Sequence, residues 1–528
     1  MKKLFIWVSV LLCLVSCNSV KKYNEQITTL HPVADLHNDI DKLYKQLTRH
    51  HPNLYQYISK KDLEFKFDSL KTSINTPIAS REFYKRLAPV VANVRQGHVA
   101  VGSVSKQFKR KERKTLLKQK FEFYDLDFEY LEDKLLVTNT RGKDSTIVGL
   151  EVVNIENEPI TNVVNAFKTR FASDGYNTTL HNRFIGKGFS RFYYKDKGFL
   201  DSIQVTLKAK DSLFKKTFRR VPKKDKKAKK DSISEKKIKP KKLTKQEKQA
   251  NKLAKKRKRK KDKMYGYISK TKNYTRNLDF IGKDSTVAYM NIRGFTNGNY
   301  KRFYKQSFKK LDSAKTKHLI LDLRNNGGGR IAEIAKLYSY LTDKDYKFVN
   351  KSEVNSRIPF LKFFMSNTTP LALKVVGGVL SPIIIAENLM KVKKKDGKLY
   401  YKMRESKTRH PNALNYKGNM YVLTNGNSFS ASSLISTHLK ATQRATFVGE
   451  ETGGAYNGCV AGIYKIYQLP TTKVKVRMGL MQIEAPYKQN PDGYGIKPDV
   501  EILPTINDRV SNFDAELDWI LKDIEKKE

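Results

Sequence analysis

The sequence predicts an α/β protein whose main unit is a buried, largely parallel sheet, preceded by a smaller β-rich unit and a helical segment. Three observations carry this. From "STVAYMNIRGF" at 285–295 onward, apolar runs of strand length alternate with helical periodicity: "HLILDL" precedes "RIAEIAKLYSYL", and "MYVLT" precedes "SASSLISTHLKAT". Strands apolar along their whole length suit a sheet covered on both faces. From about Phe121 the period is two instead, in "FEFYDLDFEYLEDKLLVTNT", which suits strands with one wet face. Nearer the start, "DIDKLYKQLTRHHPNLY" and "SREFYKRLAPVVANV" repeat apolar residues at helical spacing.

The first element reads as a targeting segment. "MKKLFIWVSVLLCLVSC" has a basic start, a short apolar stretch and an ending that resembles a bacterial lipobox. On this reading residues 1–16 are a signal peptide and Cys17 takes acyl chains, so the chain hangs from a bilayer in the bacterial cell envelope rather than spanning it. A plain secretory signal is the alternative. Removal of Cys13 and acylation of Cys17 leave only Cys459, so no disulfide framework or CxxC pair is expected, and Cys459 reads as packing.

Residues 17–115 then form the helical segment, whose pattern breaks at "RQGHV". Residues 116–222 form the β-rich module, with "STIVGLEVVNIENEPITNVVNAF" as strand, turn, strand and helix, and "SIQVTLKAKDSLFKKTFRRV" as a hairpin. Residues 223–264 are a lysine-rich insertion with no sustained apolar face, expected as a solvated loop or charged helix. Residues 265–528 hold the buried sheet. Within them "LALKVVGGVLSPIIIAENLM" is very apolar but too interrupted for a membrane span. It reads first as a core helix pair, and otherwise as a membrane-facing or substrate-facing lid.

Composition bounds the rest. Of 528 residues 39% are hydrophobic, enough for several cores and too many for an intrinsically disordered chain. There are 104 Lys and Arg against 52 Asp and Glu, a net charge of +52, with a large share in the insertion. The insertion lacks interleaved aromatic residues for base stacking, apart from Phe214 and Phe218 at its edge, and nucleic acid is not an expected partner. An anionic membrane or polysaccharide surface suits it better.

Two loops carry candidate chemistry. "DLRNNGGG" at 322–329 follows a buried strand, where glycines let backbone N–H groups approach a ligand. It reads as a tight turn or as one side of an oxyanion hole; the Gly-Lys-Ser/Thr ending of a phosphate loop is missing. "NSFSASS" at 427–433 sits where a strand hands over to a helix. Serine clusters there ordinarily cap helices. A serine there also meets the positive end of the helix dipole and free N–H groups, which stabilise an oxyanion. The GxSxG elbow is absent.

The order "GHV", "GLEVVNIENEPI", "LILDLRNNGGG", "VLTNGNSFSASS", "FVGEETGG" and "GIKPDVEI" resembles the tricorn-core and C-terminal-processing serine peptidases, over most of the chain except the insertion. The resemblance implies a crotonase-like (ClpP-like) spiral core, a PDZ-like module at 116–222 that binds polypeptide by strand addition, and no cofactor or metal. It makes Ser430 the nucleophile, with Ser433 where the family often has glutamate. It makes the Ala431 amide one oxyanion donor, and Gly328, with Gly327 close behind, the other. The processing branch uses a lysine after its "GExT" stretch; Ala455 stands near that place, so the Ser–Lys dyad is not supported. The tricorn-like branch uses a histidine ahead of the module, which is His98 here. The branch's serine before the histidine is replaced by Gly97. The acid is expected at Asp492, or at Glu450 or Glu451. His31, His37, His50 and His51 read as a surface pattern, and His438 lies too far along its helix from Ser430 to serve it. Asp322 and Arg324 are expected to pin the glycine loop, and Asp499 to fix a turn. The implied function is an envelope-anchored serine peptidase acting on polypeptides; the alternative is an inactive lipoprotein that binds peptides or apolar ligands on the same fold.

Overall fold

The computed structural model describes residues 20–142, 144–223, 244–269, 271–282, 284–296 and 298–528. The expected signal peptide and Cys17, and most of the first half of the insertion, lie outside them.

The apolar strands of the C-terminal half assemble into a six-stranded sheet in the order Arg276–Ile281, Val287–Ile292, His318–Asp322, Asn419–Thr424, Thr446–Gly449, Val500–Glu501. The first pair is antiparallel and the rest are parallel. Both faces are covered, which is why the strands needed no polar alternation. On one face Leu319 and Leu321 pack beneath the helices Tyr300–Ser313, Ile331–Tyr338 and Ala431–Ala441. On the other, Ile320 and Leu423 meet Ile520 and Ile524 of the terminal helix Ala515–Lys527. His318 pairs with Asn419 and Asp322 with Leu423, so the glycine loop and the serine loop leave the sheet at one edge, side by side.

A three-stranded antiparallel sheet stands beside this core: Ala100–Gly102, Lys475–Ile483 and Cys459–Gln468. The helices Val33–His50, Lys60–Ser73 and Ser80–Ala92 bury Leu36, Ile40, Leu43 and Leu47 in one cluster with Leu469, Val474, Val476 and Met478 of that sheet. The buried Asp39 carboxylate accepts from the backbone N–H of Thr471 and Thr472 and from the Thr472 hydroxyl. The helical segment therefore shares a core with the hairpin it lies on.

Residues 119–222 contribute a separate antiparallel sheet in the order Gln119–Phe121, Ser212–Pro222, Ser202–Ala209, Glu151–Ile155, Lys134–Thr140, Leu126–Leu131. Phe123, Phe128, Phe167 and Phe189 fill the space between it and the helices Ile160–Lys168 and Thr179–Lys197. The described part of the insertion is a helix, Lys245–Tyr265, opened by a Thr244/Glu247 capping box and closed by Gly266 in the left-handed conformation. Nearly all of its side chains face solvent.

One expectation fails. The apolar stretch 371–391 does form a helix pair, Leu371–Val379 and Ser381–Lys391, but its side chains are largely exposed instead of lying in the core. The core places are already filled by the helices that follow each parallel strand.

Candidate active site

Ser430 sits on the turn between the strand Asn419–Thr424 and the helix Ala431–Ala441. Its φ of 57° and ψ of −116° lie in a region that side chains other than glycine rarely adopt. The sharp reversal lifts the hydroxyl off the end of the strand and leaves it at the helix N-terminus. The neighbouring serines are committed elsewhere. Ser428 donates to the Leu323 carbonyl (2.8 Å), Ser432 to the Asn326 carbonyl (2.8 Å) and Ser433 to the Ser428 carbonyl (3.1 Å). Of the four hydroxyls in this loop, only that of Ser430 faces an imidazole: His98 Nε2 lies 3.0 Å from Ser430 Oγ.

His98 reaches this place from 332 residues away because the strand after it, Ala100–Gly102, adds to the edge of Lys475–Ile483. The Arg477 Nε donates to the His98 carbonyl at 3.3 Å. The imidazole packs edge-on against Phe429 and Tyr464, with centroids at 5.0 and 5.7 Å. Burial, with the Arg477 charge adding to it, pulls its pKa from 6.5 to about 3. The ring is therefore neutral near pH 7, and with the proton on Nδ1 its Nε2 accepts from the Ser430 hydroxyl.

The glycine loop closes over the same hydroxyl. A side chain on Gly328, whose φ is +92°, would meet the Phe429 carbonyl and the Ala431 nitrogen at 2.7 Å and Ser430 Cβ at 2.8 Å. Glycine alone permits this approach. Gly328 is nevertheless not the second free donor, because its N–H is given to Asn326 Oδ1 at 2.9 Å. Gly327 and Gly329 keep N–H groups with no acceptor among the described residues, and Ala431 presents its own as the first residue of its helix. Asp322 accepts from Asn291 and Tyr289 and is bridged by Arg324, which also pairs with Asp514 and Glu516 on the terminal helix. That network fixes where the loop leaves its strand.

Asp492 does not meet the imidazole. Its carboxylate accepts from Gln56 Nε2 (2.9 Å), Tyr57 and the Gly493 N–H, because the 490–494 turn packs against Tyr57 and Tyr176 of other segments. Gln56 in turn accepts from Gln96, two residues before His98. Glu450 binds Arg183 and the Gly426 N–H, and Glu451 binds the Gly495 N–H. No carboxylate among the described residues bonds to the imidazole of His98.

A buried acid beside the site escaped the sequence reading. Asp174 accepts from the Gly97 N–H at 2.8 Å, directly before His98. Its Oδ2 is buried with no hydrogen-bond partner, and burial pushes its pKa up to about 7. "SDGYN" at 173–177 reads as an ordinary turn, and nothing local sets it apart. The surface reading of the other N-terminal histidines also fails in part: His31, His50 and His51 are buried, His31 against Ser80 and His50 against Lys465. His438 bonds to the Phe348 carbonyl, away from Ser430.

Two hollows flank Ser430. One, of about 410 Å³, is lined by Ile331, Leu434, Ile463, Met481 and Ile483, with Ala455 on its wall and no lysine among its lining residues. The other is a groove of about 1210 Å³ that runs from His98 and Ser430 to the helix Thr179–Lys197. Lys187, Arg191, Lys195 and Arg477 line it, none of them with a carboxylate partner among the described residues.

Residues 286–502 match the family model for Peptidase family S41. The matched segment spans less than half of the 528 residues. It holds the six-stranded sheet from its second strand onward, together with both loops at Ser430. A comparison with curated proteins finds no match. Among solved structures, mature CPAF complexed with lactacystin superposes with a TM-score of 0.61 at 14% identity, covering 93% of this chain and 98% of that one. Mature CPAF gives 0.58 at 14%, covering 92% and 96%, and a point mutant of CPAF 0.58 at 15%, also covering 92% and 96%. At such identities these likenesses speak for the fold alone.

Proposed function

We propose that this chain, whose residues 286–502 match Peptidase family S41, hydrolyses peptide bonds with Ser430 as nucleophile and His98 as general base. The observation that carries the reading is the 3.0 Å approach of His98 Nε2 to the one loop hydroxyl not already bonded to backbone. The serine attacks the scissile carbonyl while its proton passes to His98 Nε2. The N–H groups of Ala431 and Gly327 hold the developing oxyanion. His98 then protonates the departing amine, and water repeats the sequence on the acyl-enzyme. Asp174 positions the imidazole through the Gly97 backbone, since no carboxylate among the described residues holds the ring itself. The apolar hollow takes the side chain beside the scissile bond. The basic groove takes the adjoining chain, with the 119–222 sheet acting as the PDZ-like module. Acylation of Cys17 would hold the enzyme at an envelope membrane, facing away from the cytoplasm.

The unheld imidazole favours a second reading, a lipoprotein that binds peptides without turning them over. A fluorophosphonate probe separates the two. Labelling that disappears in Ser430→Ala and falls in His98→Ala supports the peptidase; a wild-type chain that stays unlabelled while binding peptide supports the second.

A further inference from the structure

We infer that the bent helix pair Leu371–Val379 and Ser381–Lys391 enters one leaflet of an anionic bilayer and holds the mouth of the site against it. The inference stands whether or not Ser430 turns over. Twelve exposed large apolar side chains fall between Phe360 and Met390. On Leu371–Val379 exposure runs all the way round: Leu371, Leu373, Val375, Val376 and Val379 all face out, and only Gly377 is buried, beneath Phe364. A protein partner would cover one stripe of such a helix and leave the others wet. A hydrocarbon solvent covers every side at once.

Length and charge point the same way. No single helix among the described residues is long and apolar enough to cross a membrane; this pair meets the test only together, and it bends by 66°. Helices of 9 and 11 residues each reach about half of a ~30 Å hydrocarbon layer, so a pair folded back on itself dips in and returns. Cations flank it in the chain: Lys362 before it, and Lys393, Lys394 and Lys395 after it. Glu387, the acid on the pair, is neutralised by Lys391. Lysines at this level meet anionic head groups, and Lys374 can extend its ammonium toward them.

The pair is tied to the site. Thr368 Oγ1 donates to the Ile466 carbonyl and Asn367 Nδ2 to the Gln468 carbonyl, stapling its base to the strand whose Ile463 and Tyr464 line the apolar hollow. Phe360, on the short helix before it, lines the same hollow and packs on Tyr401. A bilayer holding the pair therefore lies beside Ser430, and the polypeptides presented there are membrane-proximal ones.

The test places a fluorophore in the pair itself, so that a tether elsewhere cannot imitate the result. In the full chain carrying Trp7→Phe and Trp519→Phe, Val379→Trp is mixed with phosphatidylcholine–phosphatidylglycerol vesicles with brominated acyl chains. Quenching on the order of twofold relative to unbrominated vesicles, lost in the double variant Val375→Asp/Ile383→Asp, is expected. That double variant should keep the parent's far-ultraviolet circular dichroism and thermal melting in the absence of vesicles, which shows that it folds. An unquenched Trp on vesicles that have captured the protein overturns the proposal and assigns binding to the N-terminus or the Lys245–Tyr265 helix. Self-association of the parent that the aspartates abolish, again without quenching, assigns the pair to a second copy and overturns it equally.

Discussion

At the scale of residues the site turns on two buried titratable groups whose pKa values are pushed in opposite directions. His98, drawn from 6.5 to about 3, stays neutral in the fold while the unfolded chain protonates it. Its contribution is therefore complete above pH 6.5 and is lost as pH falls toward 3. The acid limb of kcat/KM should accordingly lie below pH 6.5, which a pH profile on a neutral peptide checks; a limb at 6.5 or above would contradict a buried, neutral base. Asp174 is raised to about 7, so the fold keeps a proton that the unfolded chain gives up near 3.8. Its contribution is present below 3.8 and lost as pH rises through 7. Asp174→Asn keeps an oxygen for the Gly97 N–H and cannot ionise. Its thermal stability relative to wild type should improve as pH rises from 4 to 7, by up to a few kcal/mol on the order of the linkage magnitude. A difference independent of pH would show that the carboxyl is not held protonated. Ser430→Ala should lower kcat by roughly 10⁴-fold or more, as removal of a nucleophile does elsewhere, with the fold unchanged by circular dichroism.

At the scale of elements the close approach of two loops is the controlling feature. Gly328→Ala would drive a methyl group into Phe429, Ser430 and Ala431 at under 3 Å in a conformation that disfavours it. Loss of about 1–3 kcal/mol in stability and a larger proportional loss in kcat than in KM are expected, because the displaced atoms include the proposed nucleophile. The groove makes a separate demand. Lys187, Arg191, Lys195 and Arg477 give it four cations without carboxylate partners among the described residues. Peptides with acidic residues away from the cleavage point should therefore have a lower KM than neutral ones. The advantage should shrink with salt and in Arg191→Glu/Lys195→Glu. Equal KM values at low salt would remove the groove from substrate binding.

The whole molecule explains why distant segments act together. His98 stands just before a strand whose neighbours share one apolar core with the N-terminal helices. Leu43→Ala, at a fully buried position of that core, should cost about 2–5 kcal/mol. It should also lower kcat although Leu43 belongs to a different core cluster from Ala431 and Leu434 beside Ser430, which denaturant melts paired with kinetics would resolve. The net charge of +52 is a property of the surface; the Lys245–Tyr265 helix, with eleven Lys and Arg against two acids, contributes to a core only through Met264 and Tyr265.

The sequence by itself determined the parallel α/β core, the strand-to-helix places of both loops and Ser430, because those follow from apolar periodicity and from short-range turn chemistry. It placed His98 through the order of its motifs, ahead of any geometry. Tertiary structure alone decided the rest. Asp174 became the buried acid and Asp492 was turned toward Gln56, since each outcome depends on which distant segment packs on the turn. Gly328 became a spacer when Asn326 claimed its N–H. The stretch 371–391 looked like core because apolar composition is the same for a buried helix and a bilayer-facing one; only the packing of its neighbours shows that the protein interior has no room for it.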